Sequence, residues 1–253
     1  MNDITIRRPI KWYSSSDTNV GMVREINEDS IISNQNVGLW AVADGMGGYE
    51  AGNVASNMIV QALGEINKKS NLSAMVNEIE DNLLDVNHRI LEYAEIMLEG
   101  RTLGSTVVCM LLMGQVGVCL WVGDSRLYRL RNNELLQISR DHSQVEELLQ
   151  QGLIREDEVE NHPESNVITR AIGTNEELYV DMCVFSAQVG DSYLLCSDGL
   201  YNSVKQEDII KQLANPNSDD AVKQLIVNSL ENGAADNVSI IIVKGLTTRD
   251  GTH

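Results

Sequence analysis

The sequence has one phenylalanine and three prolines in 253 residues, and no Pro-rich or Gly/Ser-rich stretch divides it. A chain of this length makes one large domain or two small ones. With nothing to separate two, one domain over residues 1–253 is expected, and 43% apolar residues suffice for its core. Cations are scarce: 19 Lys and Arg face 37 Asp and Glu, for a net charge of −18. That balance argues against nucleic acid as a partner, because phosphate backbones are bound by clustered Lys and Arg. It does not exclude a single phosphoryl group held through metal ions, which reverse the local field. The four cysteines (Cys109, Cys119, Cys183, Cys196) contain no CxxC pair and lie in apolar runs. They read as buried, reduced thiols in a reducing, cytoplasmic setting. With the four His scattered, a zinc site is not expected. The opening MNDITIRRPIKW lacks the apolar segment of a signal peptide. Residues 102–123 carry no charge and approach the length of a membrane span. Their glycines and valines read instead as two strands, TVVCMLLM and VGVCLWV, turning at Gly114-Gln115; no membrane segment is expected.

The chain is organised around LWAVADGMGGYEAG, residues 39–52. The run LWAVA reads as a buried strand that stops at Asp44-Gly45-Met46-Gly47-Gly48. A carboxylate at the end of a core strand is costly unless it is paired or holds a metal. Taken alone, Asp-Gly is an ordinary hairpin turn. The same event recurs, however: VCLWVG runs into Asp124 and SYLLCS into Asp198, while Asp236 opens the run NVSIIIV. In antiparallel strands, stops and starts share one end of the sheet. Four carboxylates there, with Glu28 and Asp29 at hand, need cations. Oxygen donors select Mg²⁺ or Mn²⁺. A second VGDS at residues 189–192 precedes its strand, so Asp191 reads as turn chemistry.

Elsewhere residues 1–9 read as irregular, 11–17 as a first strand and 30–33 as the next. Arg24 and Glu28 lie in a polar stretch between them, where a solvated helical i,i+4 pair is an equal alternative to a functional role. Residues 51–66 and 72–98 read as helices with stripes Val54, Met58, Ala62 and Met75, Ile79, Leu83, Val86, Ile90 facing a sheet. His88 on the second reads as a surface or interfacial residue. A β-meander is expected to follow, from VCLWVG through 127–130 and 135–138 with a turn at Asn132-Asn133. Residues 140–177 break the pattern with short helices at 143–151 and 156–160 and an extended run at 166–170. A segment of that length between strands usually carries function. Strands at 178–185 and 191–196 and helices at 206–213 and 219–230 complete the reading, and Cys196 is assigned to the core.

Six motifs occur in order: G-x-x-R-x-x-N-E-D, A-D-G-M-G-G, L-G-S-T, V-G-D-S-R, S-D-G-L and D-N-V-S. Together they resemble the bacterial type 2C metal-dependent protein serine/threonine phosphatases, the PPM family, over about residues 14–243. The resemblance implies an α+β fold: a four-layer α-β-β-α sandwich, two antiparallel sheets face to face with helices outside. It also implies a binuclear Mn²⁺ or Mg²⁺ centre. Asp44 would bridge the two ions, Glu28 and the Gly45 carbonyl would ligate one, and Asp198 and Asp236 the other. Asp29 would hold a metal-bound water, Arg24 would bind the phosphoryl oxygens, and Asp124 with Asp198 would form a weaker third site. Residues 141–175 match the flap beside the site. Met46 stands where animal members carry a proton-donating His, so the leaving group must find its proton elsewhere. GLWAVADGMGGYEAG, RDHSQVEELLQQGLI and HPESNVITRAIG further resemble the branch encoded with type VI secretion systems. That implies phosphoprotein substrates, an opposing Ser/Thr kinase and a forkhead-associated protein as partners. A phosphoprotein-binding module without turnover is the alternative, disfavoured by the complete set of ligand positions. A two-metal nuclease is disfavoured by the net charge.

Overall fold

The computed structural model describes residues 10–47, 51–159 and 162–247. The start read for residues 1–9, Gly48 of the turn and Glu160 of the second short helix lie outside them. The elements in chain order are β1 (Ile10–Asn19), β2 (Asp29–Asn34), β3 (Leu39–Gly47), α1 (Gly52–Gly64), α2 (Leu72–Met97), β4 (Leu103–Ser105), β5 (Val107–Met113), β6 (Val116–Val122), β7 (Arg126–Arg131) and β8 (Glu134–Gln137). There follow α3 (Gln144–Gln150), α4 (Glu156–Val159), β9 (Asp181–Ser186), β10 (Ser192–Cys196), α5 (Asp198–Tyr201), α6 (Gln206–Ala214), α7 (Ser218–Glu231) and β11 (Val238–Thr247).

The strands form two antiparallel sheets, β1-β11-β10-β7-β8 and β2-β3-β5-β6-β9, with β4 paired to the far end of β3. Three buried clusters show how they stack. Trp12, Trp40, Val42, Met110, Leu195 and Ile241 fill the space between the sheets. Leu39, Ala41, Ile59, Ile79 and Leu83 join the second sheet to α1 and α2. Leu194, Leu200, Ile209, Leu225 and Ile240 join the first sheet to α5, α6 and α7. The result is the α-β-β-α sandwich. With both faces covered, a strand gains by making every residue apolar, since each buried Leu, Ile or Val contributes roughly 1.5–3 kcal/mol. Hence Leu39 to Ala43 form an unbroken run in which all five residues are fully buried.

Several expectations need correction. The meander does not exist: β6 lies between β5 and β9 in one sheet, whereas β7 lies between β10 and β8 in the other. The chain crosses the sandwich at Gly123, whose φ of +103° favours glycine and whose α-carbon packs on Thr106. The α1 stripe is wider than read and centred later: Ala62 is buried as expected, Val54 and Met58 are half-buried, and Ala55, Ile59 and Leu63 also face the core. Strand β3 does not stop at Asp44, because Gly45, Met46 and Gly47 continue against β4. No strand forms at 166–170; Ile168 and Ile172 make isolated bridges to Ser143 and Ser105. Strand β9 begins at Asp181 rather than 178, and Cys183 on this edge strand is half-buried, whereas Cys109, Cys119 and Cys196 are buried. The remaining readings agree: the 102–123 segment is the hairpin β5–β6, the whole α2 stripe is buried, and His88 is exposed. Among the described residues no helix is long and apolar enough to cross a membrane.

Candidate metal centre and active site

Strands β3, β6 and β10 run toward one end of the sandwich, and β2 and β11 start there. Asp29 is the first residue of β2 and is the cross-strand partner of Asp44 on β3. Like charges directly opposite one another destabilise a sheet, so this pair needs compensation. Asp124 follows the crossover glycine, Asp198 opens α5, and Asp236 precedes β11. The groups meet across the two sheets. Ser197 Oγ donates to Asp29 Oδ2 at 2.7 Å. Arg24 Nη2 donates to Asp236 Oδ2 at 2.7 Å, and Tyr201 Oη donates to the Asp124 carbonyl at 3.1 Å.

Electrostatics supports the grouping. Burial pushes the Asp44 carboxyl well above its ordinary range, and Asp29, Asp198, Asp124 and Asp236 push it further. Burial, then Asp124, Asp236 and Asp29, raises Asp198 to about 7. Burial also raises Asp29 to about 6, with Asp236 adding to it, and Asp124 to about 6, with Asp141 adding to it. The structure thus brings Asp29, Asp44, Asp124, Asp198 and Asp236 into one field.

Glu28 and Gly45 are placed by backbone packing. The Gly45 N–H donates to the Glu28 carbonyl at 3.1 Å, and the Gly52 N–H at the start of α1 donates to Glu28 Oε1 at 2.8 Å. Gly45 and Gly52 approach so closely that a Cβ on either would collide with the other's backbone. That requirement explains glycines at both positions. The Arg24–Glu28 helical pair does not occur: the segment is irregular, and Arg24 is committed to Asp236.

As they stand, no three acidic, His or Cys side chains among the described residues converge closely enough to hold an ion between them. Asp236 is held by Arg24 and one Glu28 oxygen by α1. The donor set nevertheless fits a hard divalent cation: the clustered side chains are all carboxylates, and Asp29 Oδ1 and Asp124 Oδ1 are buried without a hydrogen-bond partner.

Sequence reasoning assigned no role to the residues that hold this cluster. Thr106 lies in the LGST motif; its N–H donates to the Asp44 carbonyl at 2.8 Å and its hydroxyl meets Ser125 Oγ at 2.7 Å. Arg126 of VGDSR grips Asp141 through two nitrogens and lies 3.5 Å over the Tyr201 ring. His142 Nδ1 accepts from the Gly123 N–H at 3.0 Å beside Asp124, while Nε2 faces Asp181 at 3.1 Å. Their signal was membership in a quoted motif. Asp191, read as a turn residue, is buried and paired with Arg131 at 2.7 Å, with Tyr193 Oη also donating to it. It anchors the other end of β10.

This fold and this acidic end have counterparts among known proteins. Residues 23–236 match the model of the family Protein phosphatase 2C. The chain is 37% identical to the serine/threonine phosphatase stp of Listeria welshimeri, over 90% of this chain and 93% of that protein. It is similar in structure to PppA, a key regulatory component of T6SS in Pseudomonas aeruginosa, with 40% identity and a TM-score of 0.87 over 95% of this chain and 100% of that one. The catalytic domain of PstP, solved in complex with two manganese ions, matches with 31% identity and a TM-score of 0.83 over 94% of this chain and 99% of that one. The chain belongs to the protein phosphatase 2C family. It is an enzyme, a serine/threonine protein phosphatase of the type found in bacteria.

Proposed function

We propose that the acidic end of the sandwich is a Mn²⁺- or Mg²⁺-dependent centre that hydrolyses phosphoserine and phosphothreonine in protein substrates. The observation that carries this is the Asp29–Asp44 cross-strand pair, with Asp29 buried, one of its oxygens unpartnered and further carboxylates around it. Asp44 would contact two ions, Glu28 and the Gly45 carbonyl one of them, and Asp198 and Asp236 the other. Asp124 with Asp198 would hold a weaker third, a position with few protein ligands. When bound, the ions supply Lewis acidity toward phosphoryl oxygens and toward a water, which suits an in-line displacement.

The chain's own residues supply the rest. Arg24 presents a permanently charged fork to the phosphoryl oxygens. Asp29 orients the attacking water through Oδ1, which is buried and has no hydrogen-bond partner in the protein. A cysteine nucleophile is disfavoured, because burial pushes the thiols of Cys109, Cys119 and Cys196 up, away from the thiolate. Met46 carries no proton for the leaving oxygen. We further infer a single phosphatase domain with a core of about 14–243 and a flap over about 141–175. Three buried free thiols suit a reducing compartment, the cytoplasm. The likeness to PppA, a key regulatory component of T6SS, supports a type VI secretion setting; the opposing Ser/Thr kinase and the forkhead-associated protein come from the motif resemblance alone.

The test is phosphate release from a phosphothreonine peptide and from a phosphodiester, with Mn²⁺, with Mg²⁺ and with EDTA. Metal-dependent turnover of the monoester alone is the expected result. Binding without turnover would make the chain a phosphoprotein-binding module.

A further inference from the structure

Arg24 and Glu28 lie on an irregular loop between β1 and β2, and an irregular loop does not by itself hold two functional side chains in place. One buried amide ties the loop at both ends. Asn237, buried at 5% exposure, sits between Asp236 and β11. Its Nδ2 donates to the Val20 carbonyl at 2.9 Å and to the Ile26 carbonyl at 3.0 Å. Its Oδ1 accepts the Glu28 N–H at 2.8 Å. Its own N–H donates to Asp236 Oδ1 at 2.9 Å. The partners fix the orientation of the amide, since the flipped form would set its oxygen against two carbonyls and its NH₂ against an N–H. The entry of the loop, its exit and the carboxylate that pairs with Arg24 therefore all meet at one residue. Other ties exist: Met22 N–H donates to the Ala234 carbonyl at 2.9 Å, and Asn27 donates to Thr18 Oγ1 at 2.8 Å and accepts the Asp29 N–H at 3.1 Å, but neither also reaches Asp236.

We propose that Asn237 is a positioning residue that holds the loop so that Arg24 stands against Asp236, and that phosphoryl binding depends on it through Arg24. This rests on the reading of Arg24 as the phosphoryl-binding group. A residue that merely stabilises the fold would weaken every variant alike. One that acts through Arg24 has no further effect once Arg24 is gone.

The experiment is a double-mutant cycle on the full chain with saturating Mn²⁺. Inorganic phosphate serves as competitive inhibitor, and KM and kcat are measured on a phosphothreonine peptide. Asn237→Ala is expected to raise the phosphate inhibition constant and KM about tenfold, the loss of roughly 1.4 kcal/mol, with a smaller fall in kcat. In the Arg24→Ala background it should change the inhibition constant less than twofold. Equal fold-changes in both backgrounds would overturn the inference while leaving Arg24 its role. No effect of Arg24→Ala by itself would instead overturn the reading of the site, and the inference with it. Should Asn237→Ala not fold, Asn237→Asp keeps the acceptor for Glu28 and loses both donations, and it enters the same cycle. On wild-type protein with Mg²⁺, the Asn237 side-chain NH₂ resonances should exchange slowly with solvent and shift on phosphate titration. Fast exchange with no shift contradicts the proposal.

Discussion

Stripped of metal by EDTA, the protein is expected to become less stable as the pH rises from about 4 to about 8, the reverse of ordinary acid denaturation. Asp124 shows the magnitude most simply. Its carboxyl titrates at about 6 in the fold against an ordinary 3.8, because burial and Asp141 disfavour the charged form. The folded state holds a proton that the unfolded state has already released. Stability from this proton is complete below pH ~4 and is lost as the pH climbs through about 6. At about 1.4 kcal/mol per pKa unit, the loss is ~3 kcal/mol. Asp29, at about 6, and Asp198, at about 7, act with the same sign. These groups interact, so their losses do not sum; one carboxyl's worth is the conservative expectation. In a protein of this size each kcal/mol moves Tm by roughly 2–4 °C, so the full loss from below pH 4 to pH 8 lowers Tm by about 6–12 °C; roughly half of it, about 3–6 °C, falls between pH 5 and pH 8, because the unfolded carboxyl is already ionised at pH 5.

Two opposing contributions are separable. Burial lowers the His142 pKa, so that ring adds stability as the pH rises toward 6.5. Asp181 and Asp191 are lowered by their partners and act only below the ordinary carboxylate range. The assay is thermal unfolding at fixed ionic strength in EDTA, repeated with Mn²⁺. Metal should raise Tm at every pH and most at pH 8, because ligands must be deprotonated to bind. The control is Asp44→Asn, which removes the carboxylate in contact with all the others' fields. It should flatten the slope and raise the metal-free Tm at pH 8. A metal-free Tm that stays level or climbs from pH 5 to pH 8 would refute the reasoning.

Three more results are expected. Asp44→Asn should abolish turnover and remove the tight binding of two ions in calorimetry, and full activity in Mn²⁺ would contradict the centre as drawn. Arg24→Ala should raise KM on a phosphopeptide by roughly 10–100-fold, the worth of a charge-assisted hydrogen bond, without removing the tight metal sites. Asp124→Ala should lower kcat on a phosphothreonine peptide by about a hundredfold and on p-nitrophenyl phosphate much less, since an alkyl oxygen needs a proton on departure and p-nitrophenolate does not; equal losses would contradict a role in leaving-group protonation.

The carboxylates of the site were legible because of where they stand. Asp44 interrupts a strand that is apolar on both faces, and Asp124, Asp198 and Asp236 stand just beyond the ends of others; a two-sided apolar strand is among the plainest signals a sequence carries. Antiparallel geometry then put them at one end without any knowledge of sheet order. The sheet order itself was not legible. Nothing local distinguishes Gly123 as the place where the chain leaves one sheet for the other; that depends on its close packing with Thr106, the residue between β4 and β5. The same reason hid Ser197 and Asn237. Ser197 reaches Asp29 across 168 residues of chain and Asn237 reaches Glu28 across 209. A Ser or Asn near a turn has many local uses, so its residue type does not announce a distant partner.

Local rules are most informative where the structure keeps to them everywhere except in one place. Strand β3 obeys the rule for a buried strand through five fully buried residues and then sets Asp44 opposite Asp29. Every other device at that end works to hold the pair in place: Ser197 bonds one oxygen of Asp29, Thr106 bonds the Asp44 carbonyl, and Gly45 and Gly52 have no side chains to keep Glu28 away. None of these neutralises charge. Arg24 is paired with Asp236, and Arg126 with Asp141. A fold that fixes five carboxylates so firmly and leaves buried oxygens on Asp29 and Asp124 unpartnered would have its stability at neutral pH tied to the cations proposed for this centre. For this phosphatase, loading the centre is then part of folding energetics as well as of catalysis.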